Sequence, residues 1–296
     1  MNFRTDLALE RRENLNESEI DGVICQTQTD ENVTVSTITI ENEHGSKVLG
    51  KPKGTYITLE VKPFMSSAEL LDSQLTTLAE KLKSLLPKTG TVLVAGLGNE
   101  KITPDALGPR CISLLLATRH ISDELAKSIG FTSLRSVAGI VPGVLGQTGI
   151  ETVEIIEGVV KKIKPSAVII VDALASRKLS RLGTTVQMTN TGVSPGSGVG
   201  NSRKNIDEKT LGVPVVAIGV PTVVDGATMA FDLLEKLDIT QDHEMYVEKM
   251  GDEKFMMVTP KEIDLVIDRA AKLVAMGINL ALQPSLSVEE ILGIVS

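Results

Sequence analysis

Two aspartates in this chain follow apolar runs of the kind at whose ends acid–base chemistry is usually built. Asp172 closes the mostly β-branched run Ala167-Val-Ile-Ile-Val171, and Asp105 follows Thr91-Val-Leu-Val-Ala95 by way of Gly96-Leu-Gly-Asn99 and Thr103-Pro104. Such runs fit strands buried on both faces of a parallel sheet, and ligands collect at the carboxyl ends of those strands. If the two strands are neighbours, both carboxyls open onto one cleft. Two carboxylates in a shared, poorly hydrated site do not both ionise, so one keeps a proton. The pair then offers a base to activate water and an acid to protonate a leaving amine, and the proton belongs to the pair. The alternative is that each Asp caps the next helix or closes an Asx turn. That alternative is weaker for Asp105, because Pro109 suits a helix start four residues later. Asp225 and Glu151 are further loop-end acids that the cleft would admit.

The glycine-rich segments supply backbone rather than side-chain chemistry. Gly96-Leu-Gly98-Asn99 follows a strand as a dinucleotide loop does, but Lys101 stands where that motif needs its third glycine. Pro195-Gly-Ser-Gly-Val-Gly200 has glycines at alternate positions and fits no phosphate-loop template. Backbone N–H groups lining a peptide or oxyanion site are the preferred reading, with Gly96, Gly98, Asn99, Gly196 and Gly198 as candidates and nucleotide binding as the rival. His44, His120 and His243 are scattered, and Cys25 and Cys111 have no metal-ligand spacing, so neither a metal nor another cofactor is expected. The two thiols are expected to be free and buried or half-buried, and Met245, Met250, Met256 and Met257 to fill the core.

The elements that must hold these groups are legible from patterning. Residues 1–19 are polar and read as a loosely held arm, with Arg11 and Arg12 solvated. Alternation over 20–61, with turns at Glu43-His-Gly45 and Pro52-Lys-Gly54, gives a small antiparallel sheet. Ser66-x-x-Glu69 is a capping box before a helix striped by Leu71, Leu75, Leu78, Leu82 and Leu85. Further expectations are a strand over 91–96, a helix from Pro109, a strand near 135–141, and a helix from Gly149. The strand ending at Asp172 follows, then a polar glycine-rich region and a strand at Pro214–Gly219. A capping box at Thr259-Pro-Lys-Glu262 opens the last long helix. Strands alternating with helices imply an α/β fold with a mostly parallel sheet. One domain over 1–296 is expected, with 20–61 as an antiparallel elaboration.

The bulk numbers exclude some functions. A net charge of -8 and a pI near 5.1 argue against a nucleic-acid surface. Apolar residues are 42% and aromatic residues only 2%, so the core must be aliphatic. No apolar run reaches the ~20 residues of a membrane span. Met1-Asn-Phe-Arg-Thr-Asp6 lacks the apolar segment of a secretory signal, so a soluble, cytoplasmic protein with no membrane partner is expected.

Taken together, several blocks resemble the germination protease family of spore-forming bacteria. They are Gly96-Leu-Gly-Asn99, Thr103-Pro-Asp-Ala-Leu-Gly-Pro109, Val141-Pro-Gly-Val-Leu-Gly-Gln-Thr-Gly-Ile-Glu-Thr152, Val171-Asp-Ala-Leu-Ala175, Pro195-Gly-Ser-Gly-Val-Gly-Asn201 and Gly219-Val-Pro-Thr-Val-Val-Asp225. The resemblance implies an endopeptidase that degrades the small acid-soluble DNA-protecting proteins of the spore at germination. It implies an aspartic pair at Asp105 and Asp172, no cofactor, a cytoplasmic place in the developing and germinating spore, and an inactive tetrameric zymogen that processes itself. Arg4-Thr-Asp6-Leu7-Ala-Leu-Glu10 resembles the family's processing site, which places the cut between Asp6 and Leu7 and makes residues 1–6 the propeptide. A more distant likeness is to the hydrogenase-maturation peptidases, which share a Gly-x-Gly-Asn strand end followed by an acid. It keeps a metal-dependent maturation-type peptidase as an alternative.

Overall fold

The aliphatic runs form strands whose alternate side chains enter two separate cores, as the two-residue period of a strand dictates. The computed structural model describes residues 5–13, 15, 20–30, 32–65, 72–128, 131, 133–196, 203–237 and 256–295. In β4 (Val92–Gly96), Val92 and Val94 join one core while Leu93 and Ala95 join the other. β6 (Ala167–Ala175) divides in the same way, with Ile169 and Val171 on the first face and Val168 and Ile170 on the second. The helices Asp72–Ser84, Leu107–Ser113 and Ile263–Leu282 cover the first face, and Thr152–Ile163 covers the second through Val153, Ile156 and Val160.

β4 pairs in parallel with β5 (Val137–Ile140) on one side and with β6 on the other; β6 continues in parallel to β8 (Val215–Asp225). From β8 the sheet turns antiparallel through β7 (Thr185–Thr189), β3 (Gly54–Glu60), β2 (Thr34–Ile40) and β1 (Val23–Thr29), while β9 (Met257–Val258) adds to β8. The fold is α/β with a mixed sheet and flanking helices. No helix among the described residues is long and apolar enough to cross a membrane.

Several expectations are corrected. The sheet is mixed rather than mostly parallel, because β7 joins the antiparallel strands of 20–61 edge to edge with the parallel ones. Glu43-His-Gly45 opens a helix, Glu43–Leu49, capped by the Asn42 side chain, rather than a turn. The helix expected from Pro109 starts at Leu107, and the one expected from Gly149 starts at Thr152. Thr259 caps nothing: the last long helix begins at Ile263 without a side-chain cap. Cys25 is exposed and Cys111 buried, both free. Met256 and Met257 are exposed, while Met245, Met250 and the Ser66–Glu69 box lie outside the described residues.

The arm is the largest correction. Leu7 and Ala8 are fully buried, and Ala8–Glu13 is a short helix packed against the antiparallel strands, where Ala8 shares a small core with Ile38, Ile40, Leu49 and Tyr56. Arg11 and Arg12 are half-buried rather than solvated.

β4 and the helix behind it touch through two glycines. A Cβ on Gly96 would lie 2.3 Å from the Gly108 carbonyl oxygen, and one on Gly108 would lie 2.2 Å from the Leu97 oxygen. Backbone has nowhere to retreat at such contacts. Gly108→Ala is therefore expected to cost about 3 kcal/mol of stability, at the upper end for overpacked interiors, read as a lower urea midpoint at unchanged slope.

Candidate active site

A strand buried on both faces cannot tolerate a carboxylate in its middle, but Asp172 sits where its neighbour has already stopped. β4 ends at Gly96, opposite Val171, whereas β6 runs on beside β8 to Ala175. Asp172 is thus at the carboxyl end of the parallel sheet, although it is not at the end of its own strand. By register it lies on the face of Ile170, and one carboxylate oxygen accepts the Ala173 N–H at 3.0 Å.

Asp105 reaches the same place from the loop after β4. The chain turns at Gly98, whose φ of +108° suits glycine and whose missing Cβ would stand 2.0 Å from the Asp105 carbonyl oxygen. A one-turn 3-10 helix, Thr103–Asp105, then returns the carboxylate so that it accepts the Asn99 N–H at 2.8 Å. Asn99 in turn accepts from Gln147 at 2.7 Å, which ties the Leu145–Thr148 turn to the rim.

Asp105 and Asp172 line one cavity of about 540 Å³, together with Gly98, Asn99, Glu151 and Gly196. Burial pushes the Asp105 carboxyl up, against the Asn99 N–H. Asp172 is pushed well above the carboxylate range, first by burial and then by the negative charges of Asp105 and Asp6. Of the two acids, Asp172 stands in the surroundings that oppose ionisation more strongly.

The other sequence candidates divide. Gly98 and Gly196 line the cavity; Gly96 does not, and its missing side chain serves the strand–helix contact instead. The Asn99 N–H is committed to Asp105, so it orients that acid rather than an oxyanion. Gly198 lies outside the described residues. Glu151 is on the wall, 3.8 Å from Arg203, whereas Asp225 is a helix cap that accepts the Thr228 N–H at 2.7 Å. Met257, expected in the core, lines the cavity. Among the described residues no three His, Cys, Asp or Glu side chains are grouped to hold a metal ion.

Asp6 was foreseen as half of a processing site and not as part of the wall. It lies between this cavity and a second one of about 530 Å³, both of which Asp172 also lines. Its N–H donates to the Ala175 carbonyl at 3.0 Å, and its carboxylate accepts the Ala175 N–H at 2.9 Å. Its own carbonyl accepts from Lys51 Nζ at 2.9 Å and from Gln187 Nε2 at 3.1 Å. Neither Lys51 nor Gln187 was marked by the sequence, because each reaches the site only through the pairing of β3, β7 and β8.

Comparison with known proteins shows the family. A family model described as germination protease matches residues 4–249. The chain is 46% identical to the germination protease of Caldanaerobacter subterraneus subsp. tengcongensis, covering 98% of this chain and 97% of that one. It is 43% identical to the germination protease of Clostridium perfringens, covering 98% of both chains, and 38% identical to that of Priestia megaterium, covering 97% and 95%. Among solved structures, a [NiFe] hydrogenase maturation protease, HycI from Thermococcus kodakarensis, overlaps 67% of this chain and 98% of its own with a TM-score of 0.37 and 16% identity, too little to argue from. A family match over most of the sequence, with relatives aligned nearly end to end, leaves one assignment: the chain belongs to the germination protease family and is an endopeptidase.

Proposed function

We propose that Asp105 and Asp172 are the catalytic pair, that the substrates are small acid-soluble spore proteins, and that the chain first processes itself between Asp6 and Leu7. The observation that carries this reading is the meeting of both carboxyls on one cavity wall, each pushed up by burial. Asp105, ionised, takes a proton from water as the water oxygen attacks the scissile carbonyl carbon. Asp172 gives its proton to the leaving nitrogen as the carbon–nitrogen bond breaks. One water is consumed, one proton remains on the pair, and the next turnover needs only its return to Asp172.

The processing site is supported by its position. Asp6 is beside Asp172, close enough for its charge to raise that group. Leu7 and Ala8 are buried with it, as a substrate would be when the enzyme reads the residues after the cut. A fold like that of the hydrogenase-maturation peptidases is supported by the Gly-x-Gly-Asn turn at Gly96–Asn99 and the acid that follows it. Family membership supports a homotetramer of the spore cytoplasm that acts on protein and does not itself bind nucleic acid.

Full-length protein, incubated and then sequenced from its N-terminus, is expected to begin at Leu7. Any other first residue rejects that cut. The processed enzyme is expected to cut a small acid-soluble spore protein between an acidic and a large apolar residue. An intact substrate after prolonged incubation rejects the substrate class.

A further inference from the structure

Peptide hydrolysis puts negative charge on the carbonyl oxygen, and a site that lowers the barrier must have donors waiting for it. In this structure two side chains donate to the Asp6 carbonyl. Resting on the Asp6–Leu7 cut, we propose that Lys51 and Gln187 are the oxyanion donors of this enzyme, an ammonium and an amide that grip the carbonyl oxygen of the residue before the cut.

The geometry is built across three strands. Gln187 of β7 pairs with Gly219 of β8, and Gly219 pairs with Asp172 of β6. Residues opposite one another in a ladder project to the same face. Gln187 and Asp172 therefore stand on one face with only the bare backbone of Gly219 between them, two strand spacings or about 10 Å apart. A side chain there is barred, since a Cβ on Gly219 would lie 2.4 Å from the Asp172 carbonyl oxygen. The trough above Gly219 is where the Asp6–Leu7 segment is held, and Gly219, Asp172, Gln187 and Lys51 line the same cavity.

The peptide bond is fixed on both sides. Gln187 donates to the Asp6 carbonyl at 3.1 Å and accepts the Ala8 N–H at 2.8 Å, so one amide side chain spans the bond to be cut. The Ala175 backbone holds Asp6 on the other flank and its N–H reads the acidic side chain. Lys51, from the turn before β3, brings its ammonium to the same oxygen at 2.9 Å. Burial pushes this ammonium's pKa down, against the nearby Asp6 carboxylate, which makes it a stronger donor to a developing oxyanion. With the oxygen's charge met by Lys51 and Gln187, the proton of Asp172 is left for the Leu7 nitrogen. After processing, the same groups face the position where the acidic residue of a substrate would lie.

The test follows first-order self-cleavage of the full chain by intact mass, beside thermal midpoints. Lys51→Met and Gln187→Leu are each expected to slow the Asp6–Leu7 cut about 100- to 1,000-fold, the usual loss for one oxyanion donor. Processed enzyme carrying either change should lose kcat on a peptide containing Asp-Leu-Ala while KM stays nearly constant. A chemical rescue separates donation from packing. Lys51→Cys in a Cys25→Ser background, alkylated with 2-bromoethylamine, regains an ammonium of lysine length and should recover most of the rate; iodoacetamide should not restore it. Wild-type protein that never cuts between Asp6 and Leu7 removes the processing reading itself. Wild type that cuts there, with both variants cutting as fast or with a folded bromoethylamine-treated protein left inactive, overturns the donor pair alone.

Discussion

Asp172→Asn is expected to abolish peptide cleavage and, at neutral pH, to make the protein more stable. Activity falls because the variant has lost the proton that the leaving nitrogen receives. A loss of at least about 1,000-fold is expected for an acid–base group of this kind, and the same loss for Asp105→Asn, which removes the base. Stability rises because wild-type Asp172 is held in surroundings that oppose its ionised form: burial first, then the charges of Asp105 and Asp6. The sign follows from linkage. A carboxyl whose pKa is raised by folding keeps a proton in the folded chain that the unfolded chain has released. Its favourable contribution is complete below the ordinary carboxylate value near 4 and declines as pH climbs from there through the raised value. Wild-type stability should therefore slope downward over that window, and Asn, which never ionises, should remove that part of the slope. Thermal midpoints at several pH values check the second half, and fragment mapping checks the first. A variant that is inactive but shows the wild-type slope would detach the buried proton from Asp172; near-normal turnover by either variant would remove that residue from the catalytic pair.

The trade of stability for chemistry explains which parts of the molecule the sequence made legible. Ala167–Val171 and Thr91–Ala95 announce themselves because strands covered on both faces must be apolar throughout, and the acid that follows each stands out by contrast. What stayed hidden depends on pairing between distant strands. Thr185–Thr189 is only five residues long, with Gln187 in its middle, and its local pattern does not separate it from the polar loop around it. Once paired between β3 and β8, it turns the antiparallel ribbon and the parallel strands into one sheet and delivers Gln187 to the cleft. Lys51 is a lysine in a Lys-Pro-Lys turn, which any solvated loop could contain. The arm misled for a related reason. Glu10, Arg11, Arg12 and Glu13 read as solvent-facing charge, and a sequence carries no local mark that a partner elsewhere has been built to receive one of them.

That partner site yields the second large effect: Glu10→Ala is expected to release the N-terminal segment while the rest of the fold holds. Glu10 is fully buried. Its carboxylate accepts the Arg177 N–H at 2.7 Å and the Lys178 N–H at 2.9 Å, receives the Thr5 hydroxyl, and lies 3.5 Å from Arg181 Nε. Arg181 keeps Glu60 at 2.7 Å whether or not the segment that carries Glu13 stays seated. The Arg177 and Lys178 N–H groups and the Thr5 hydroxyl each lose their bond to this carboxylate, and a buried donor that loses its acceptor costs about 1–3 kcal/mol. Unfolding the whole domain would be a costly way to recover that loss. Lifting the short segment Thr5–Glu13 away admits water to both N–H groups, so the cheaper response is local. A penalty of about 3 kcal/mol raises the undocked population about 100-fold, and protease nicking near the N-terminus should accelerate by that factor while the thermal midpoint moves little. Glu10→Gln keeps one acceptor oxygen and should fall between. Self-cleavage at Asp6–Leu7 should slow once the undocked state dominates, because a lifted segment no longer presents its carbonyl to the cleft. Protease susceptibility equal to wild type in Glu10→Ala would mean that the segment is held by its other contacts, and that the buried carboxylate contributes nothing to seating it.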